Sequence, residues 1–181
     1  MSDVDDRSLV RDCLNGNRRS FDVLVDRYYK VLFSVAIRIT GNREEAQDVT
    51  QTAFLKGFEK LDTFDPSHKF FSWLYRILMN EGLNQLKKRH PIVDLEENLS
   101  SRERTPEQDY ERQRLHTVVQ EAMMQLAMEQ RQVLALRHFG DLSYEEISDV
   151  LGVPEKTVKS RLFSARRRLC AILVEGRSTS D

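Results

Sequence analysis

The 181-residue sequence predicts an all-α protein: two small helical domains joined by an acidic linker, the second containing a helix-turn-helix. Three observations carry this reading. Apolar residues recur three and four apart over most of the chain, the spacing that lines one face of a 3.6-residue helix. No stretch alternates apolar and polar residues in the way a half-buried strand requires. The composition changes after His90-Pro91, where acids replace apolar residues.

The elements follow in order. Leu9, Val10, Cys13 and Leu14 make a short first stripe. Phe21, Leu24, Val25, Tyr28, Leu32, Val35, Ala36 and Ile39 line a long second helix, with Ser20 expected as its N-cap and Gly41 as its stop. Asn42 followed by Glu45 is a capping-box variant that opens a third helix. Its stripe is Ala46, Val49, Ala53, Phe54, Phe58 and Leu61. Thr63 to Ser67 reads as a loop, because Pro66 disfavours helix before it. A fourth helix carries Phe71, Trp73, Leu74, Ile77, Leu78, Leu83 and Leu86.

From Asp94 to Arg112 seven acids face only three bases, few residues are apolar, and Thr105-Pro106 interrupts the run, so this stretch reads as a linker. Helical periodicity returns with Leu115, Val118, Val119, Ala122, Met123 and Leu126, then Val133, Leu134 and Leu136. The expected division is a first domain over residues 1–90, a linker over 91–112 and a second domain over 113–181.

Composition excludes several classes. No run of about 18 apolar residues exists, so membrane insertion is not expected. The acidic start, MSDVDDRSLV, has no apolar signal core, which points to a cytoplasmic protein. Cys13 and Cys170 read as buried thiols in a reducing compartment. His68, His90, His116 and His138 are scattered singly, without metal-ligand spacing, and no cofactor is implied. The acids fall on solvent faces of helices, and neither a nucleophile nor a phosphate-cradling glycine loop is apparent. No residue reads as catalytic, and the chain is not expected to be an enzyme.

The most specific signal runs from Leu142 to Leu162. Ser143 with Glu146 is a capping box, and Ile147, Val150 and Leu151 form a short apolar face. Gly152 permits a tight turn, Pro154 suits the first position of a new helix, and Val158 and Leu162 would pack back on the first. This is a helix-turn-helix. Its second helix offers Lys156, Thr157, Lys159, Ser160, Arg161, Phe163 and Arg166 to a DNA groove. Between Pro154 and Leu169 six bases oppose the single acid Glu155, a local charge suited to phosphates in a protein whose net charge is −1.

A second basic stretch closes the first domain. Lys69, Arg76, Lys87, Lys88 and Arg89 interleave with Phe64, Phe70, Phe71 and Trp73, and Asn80 lies nearby. Charge for a backbone beside flat faces for stacking is what unstacked single-stranded bases need. Aromatics at helical spacing are more often core.

Phe70-Phe71-Ser72-Trp73-Leu74-Tyr75-Arg76-Ile77-Leu78-Met79-Asn80, closed by Lys87-Lys88-Arg89, resembles the promoter-melting region of extracytoplasmic-function sigma factors. Glu44 to Phe54 resembles their polymerase-binding helix, including the Asp-x-x-Gln pair at Asp48 and Gln51. Leu142 to Ile147 and Thr157 to Leu162 resemble their carboxy-terminal promoter reader. The motifs stand in the family's order and spacing. The resemblance implies that Asp48, Gln51 and Phe54 bind core RNA polymerase. It further implies that Phe64, Lys69, Trp73, Arg76, Asn80 and Lys87 engage the melted minus-ten element, with one base flipped out. The second domain would read the minus-thirty-five element, and the acidic linker would thread the RNA exit channel. An anti-sigma factor is the further partner implied, with stress as the releasing signal. Ala127 stands where the family commonly has proline, Ser164 where a base is frequent, Lys156 where a small residue is common, and Asn84 where an acid is frequent.

Two other readings have distinguishable signatures. A helix-turn-helix regulator would act without polymerase and need a sensory pocket, of which the first domain gives no sign. A sigma mimic that titrates an anti-sigma factor should have lost its DNA-reading bases, yet Lys159, Arg161 and the arginine run are present.

Overall fold

The computed structural model describes residues 5–82 and 106–178, and all regular structure among them is helical. Helix α1 (Asp6–Leu14) buries Leu9, Val10 and Cys13 and turns Leu14 outward. Asp6 anchors it to α2 by accepting from Arg27 and Tyr28.

Helix α2 (Arg19–Thr40) starts earlier than Ser20 as a cap would allow. Arg18 holds the cap position and Ser20 is buried in the first turn. The chain enters through a tight turn whose main-chain carbonyls at Asn17 and Arg18 accept from the Ser20 and Phe21 amides. Those amides are satisfied by backbone, so no side-chain cap is needed. The helix stops at Gly41 (φ 77°), whose N–H donates to Ile37.

Asn42 then caps α3 (Arg43–Glu59) by accepting from the Glu45 amide at 3.0 Å. Phe58, expected in the apolar stripe, is 41% exposed. At Gly57, the residue before it, the absence of a Cβ lets Leu74 approach closely. A short 3-10 turn (Leu61–Thr63) and a loop lead to α4 (Phe70–Ile77), which runs on as a π-helical turn over Leu78–Gly82. Leu83, Leu86, Lys87 and the acidic stretch up to Thr105 lie outside the described residues.

Helix α5 (Pro106–Met124) begins well before Leu115, so the last part of the expected linker is helical. Proline is tolerated at a first helical position. The chain breaks at Gln125–Ala127 without any proline, and α6 (Met128–His138) follows. Ala127 is extended (ψ 148°), and its carbonyl accepts the Gln130 and Arg131 amides. The last helices are α7 (Tyr144–Leu151) and α8 (Glu155–Ser178). Pro154 sits just ahead of α8 rather than inside it, its carbonyl accepting from Thr157 and Val158. Cys170, expected to be buried, is exposed on α8, while Cys13 is buried as expected, and both are free thiols.

The two groups of helices pack on one another. Helix α2 lies against α5 and α6, and α4 lies against α7. A buried polar network joins α2 to the second group. Arg38 donates to Gln120 Oε1 at 2.9 Å and lies 2.9 Å from His116 Nδ1, while Gln120 donates to the Ile37 carbonyl at 3.0 Å. The Arg38 guanidinium also covers the Phe139 ring at 4.7 Å.

Candidate nucleic-acid interface

The helix-turn-helix forms from local rules that the sequence obeys. Ser143 accepts from the Glu146 amide at 3.2 Å and Glu146 Oε2 accepts from the Ser143 amide at 2.7 Å, a complete capping box. Gly152 (φ 64°) turns the chain in the left-handed region, and Ser148 closes the turn by donating to the Val153 carbonyl. Val158 and Leu162 of α8 are buried against the rest of the unit, which fixes the roll of α8.

That roll decides what α8 presents. Lys156, Lys159, Ser160 and Phe163 are exposed, Phe163 at 65%; Arg166 is exposed, and Thr157 and Arg161 are half-buried. Several of these side chains are already oriented by neighbours. Lys159 pairs with Glu155 at 3.0 Å and lies 5.6 Å from the centre of the Tyr144 ring. Arg167 lies over Phe163, and Gln130 donates to Ser164 at 2.9 Å. Arg166 sits 3.4 Å from His138 Nε2. Desolvation, then the charges of Arg166 and Arg137, hold the His138 pKa below its usual value.

The first-lobe aromatics divide into core and pocket. Phe64 is buried against Phe70 and Trp73, with ring centres 5.6 and 5.5 Å away, so it offers no free face to a base. Trp73 is half-buried and lines a cleft of about 560 Å³ with Lys60, Lys69, Arg76 and Asn80. The loop before α4 is tied by Asp65, which accepts from the Ser67 amide at 2.8 Å; that hydrogen bond holds its carboxyl below the usual pKa. Lys87 lies outside the described residues.

On α3, Asp48 and Gln51 are exposed together, whereas Phe54 is buried beneath them against Phe21 and Tyr29. The sequence reading passed over Leu55. It is 66% exposed, seven residues after Asp48, and so on the same helix face. An apolar residue out of phase with the α3 stripe was the available signal.

Residues 24–91 match the family described as Sigma-70 region 2, and residues 116–169 match Sigma-70, region 4. The RNA polymerase sigma-H factor of Pseudomonas aeruginosa is 33% identical, the alignment covering 91% of each chain. The ECF RNA polymerase sigma-E factor of Escherichia coli K12 is 32% identical over 91% of this chain and 92% of its own. This chain belongs to the extracytoplasmic-function sigma factors of bacterial RNA polymerase. Among solved structures, CnrH in complex with the cytosolic domain of CnrY superposes with a TM-score of 0.72 at 28% identity, over 94% of this chain and 97% of that one. The sigma factor RpoE in complex with the anti-sigma factor NepR from Bartonella quintana gives 0.71 at 25% identity, over 86% and 97%.

As a sigma factor, the protein partners core RNA polymerase and promoter DNA and directs transcription initiation at promoters. Its family is one of non-catalytic initiation factors. No helix among the described residues is long and apolar enough to cross a membrane. Sequence reasoning also missed the acids of α7. Glu145, Glu146 and Asp149 of this sigma factor line the same cleft as Lys69 and Arg76, and nothing in the linear pattern brings them there.

Proposed function

We propose that this sigma factor divides promoter recognition among three surfaces carried by two domains, residues 1–90 and 113–181, with 91–112 between them. The exposed face of α3 with Asp48, Gln51 and Leu55 docks core polymerase, and buried Phe54 holds that face in position. The cleft beside α4, with Lys69, Trp73, Arg76 and Asn80, takes the melted minus-ten strand, and Lys87 is a further contact to that strand. Phe64 shapes the floor beneath Trp73. Helix α8 enters the major groove of the minus-thirty-five element through Lys156, Thr157, Lys159, Ser160, Arg161, Phe163 and Arg166. The acidic 91–112 segment threads the RNA exit channel.

The observation that carries this reading is the capped α7–turn–α8 unit, whose basic, exposed helix face is held by its own core contacts. The sigma factor works in the cytoplasm, makes no bonds itself, and is held by an anti-sigma factor until stress releases it. The RpoE relative captured with the anti-sigma factor NepR supports that last assignment.

Run-off transcription with purified core polymerase, followed by start-site mapping, tests the reading. Transcripts should begin at discrete sites that share upstream elements. Duplex binding by the free chain with no transcript from any template would instead favour a helix-turn-helix regulator.

A further inference from the structure

Helix α6 ends on His138, and that last residue meets α8. Arg166 lies 3.4 Å from His138 Nε2. A guanidinium only donates, so Nε2 accepts and the ring proton sits on Nδ1. No carboxylate among the described residues pairs with Arg166, whereas Lys159 has Glu155 at 3.0 Å. The charges that bear on the His138 ring are Arg166 of α8 and Arg137 of its own helix, and both are positive. No acid of α2 or α7, nor Asp141 in the turn that follows, offsets them. With desolvation acting in the same direction, the ring of the free chain is neutral near pH 7.

Helix α8 carries this pair to the edge of a DNA groove rather than its floor. Lys159, Phe163 and Arg166 follow one another four and three residues apart, so they share a helix face. From Lys156 to Arg166 is about 15 Å of helix. The major groove is about 12 Å wide. A helix that reads bases with its first turns therefore brings Arg166 past the base edges to a flanking strand, where contacts are to phosphates. His138 is exposed beside it. A phosphate oxygen between the two would accept from the guanidinium and, once Nε2 carries a proton, from the imidazolium as well.

We propose that His138 and Arg166 clamp one phosphodiester of the minus-thirty-five duplex, and that His138 takes up a proton as that phosphate seats. In the free chain Arg166 and Arg137 oppose the proton; a phosphate at hydrogen-bond distance offsets them. Promoter affinity is then linked to pH. Binding tightens as pH falls through the range in which the bound ring is protonated and the free ring is not. The inference rests on the assignment of α8 to the minus-thirty-five groove.

The affinity of the holoenzyme for a promoter whose start site has been mapped, measured at one salt concentration near pH 8 and again at about pH 6, tests it. His138→Gln keeps a neutral hydrogen-bonding side chain at an exposed position, so it folds and cannot take the proton. Between the two pH values the wild type should gain about three- to ten-fold over any change the variant shows, the scale of one opposite charge brought beside an imidazole. Replacing the phosphates of the minus-thirty-five element one at a time by neutral methylphosphonate locates the contact. At one position the excess gain should vanish, and the same replacement should cost an Arg166→Ala holoenzyme less than it costs the wild type. Equal pH dependence of wild type and His138→Gln would overturn the inference. So would an excess that no single replacement removes, or one removed at a different phosphate from the one Arg166 senses. Failure of the groove assignment itself reads differently: the holoenzyme would then bind a promoter with a scrambled minus-thirty-five element as tightly as the intact one.

Discussion

Arg131 of α6 donates to the main-chain carbonyl of Ile39 in the last turn of α2, 2.8 Å away across 92 residues of sequence. The same guanidinium reaches the carbonyls of Met123, Met124 and Leu126, at 3.0, 2.8 and 3.1 Å. It therefore gathers carbonyls that the ends of α2 and α5 leave without intrahelical partners. The negative ends of those helix dipoles receive the charge. Arg131→Leu keeps the apolar stem and strands these carbonyls. Stability should fall by about 3 kcal/mol, the scale of leaving buried hydrogen-bonding groups unsatisfied. Urea denaturation of the full chain measures it, and a loss below about 1 kcal/mol would show that water replaces the guanidinium at little cost.

Two glycines separate backbone strain from crowding. Gly152 has φ 64° with nothing near its missing Cβ, so Gly152→Ala should cost about 1–2 kcal/mol, the left-handed penalty alone. Gly41 has φ 77° and faces Met124, so Gly41→Ala should cost more. Adding Met124→Ala should recover the difference, because the obstructing atoms are the end of a flexible side chain. Thermal melts of the two single variants and the double variant form the required cycle.

The α3 face is tested by removing groups that the α3 core does not use. Asp48→Ala with Gln51→Ala should weaken binding to core polymerase while the melt barely moves. Leu55→Ser should do the same, because its side chain is exposed in the free chain. Core affinity that survives all three changes would place the docking surface elsewhere.

Within α8, base reading and phosphate holding are separable. Arg166→Ala should weaken every promoter alike and reduce the salt slope by roughly 0.9, the signature of one lost phosphate contact. Lys159→Ala should relax preference at one base position by about 1–3 kcal/mol. Binding to single-base promoter variants at several salt concentrations distinguishes the two. The opposite pattern would reverse the orientation of α8 in the groove.

His138 gives the second lobe a signed dependence on pH. Its folded pKa is depressed by desolvation and by Arg166 and Arg137, so the folded chain resists a proton that the unfolded chain accepts. The stability this neutral ring contributes is fully present above the ordinary value of 6.5 and is lost as pH falls below it. His138→Gln should flatten that acid-side decline while leaving stability near pH 8, about where the imidazole is neutral in both states, almost unchanged. Parallel declines for the two proteins would show that the ring titrates normally.

Local chemistry was legible in the linear sequence. The Ser143–Glu146 box, the Gly41 and Gly152 stops and the Asn42 cap each depend on residues within a few positions, where spacing alone dictates geometry. The same holds for the roll of α8, because Val158 and Leu162 must face inward and so push Lys159 and Phe163 outward. Ser20 failed as a cap because the preceding turn supplied main-chain acceptors, a competition that side-chain identity does not record.

What tertiary structure alone decided is which distant surfaces meet. Phe64 and Phe70 are both aromatic and adjacent to the same loop as Trp73, yet only Trp73 lines the cleft, since packing against Tyr28 and α4 consumes the other rings. Arg38 and Arg131 look like ordinary surface bases in the sequence and are instead buried across the lobe boundary. Glu146 carries a helix cap that any reader of the sequence would find, while its second oxygen reaches Lys69, 77 positions away. A carboxylate has two oxygens and the local motif uses only one. The partner of the other is set by how α7 lands on α4, which no periodicity encodes.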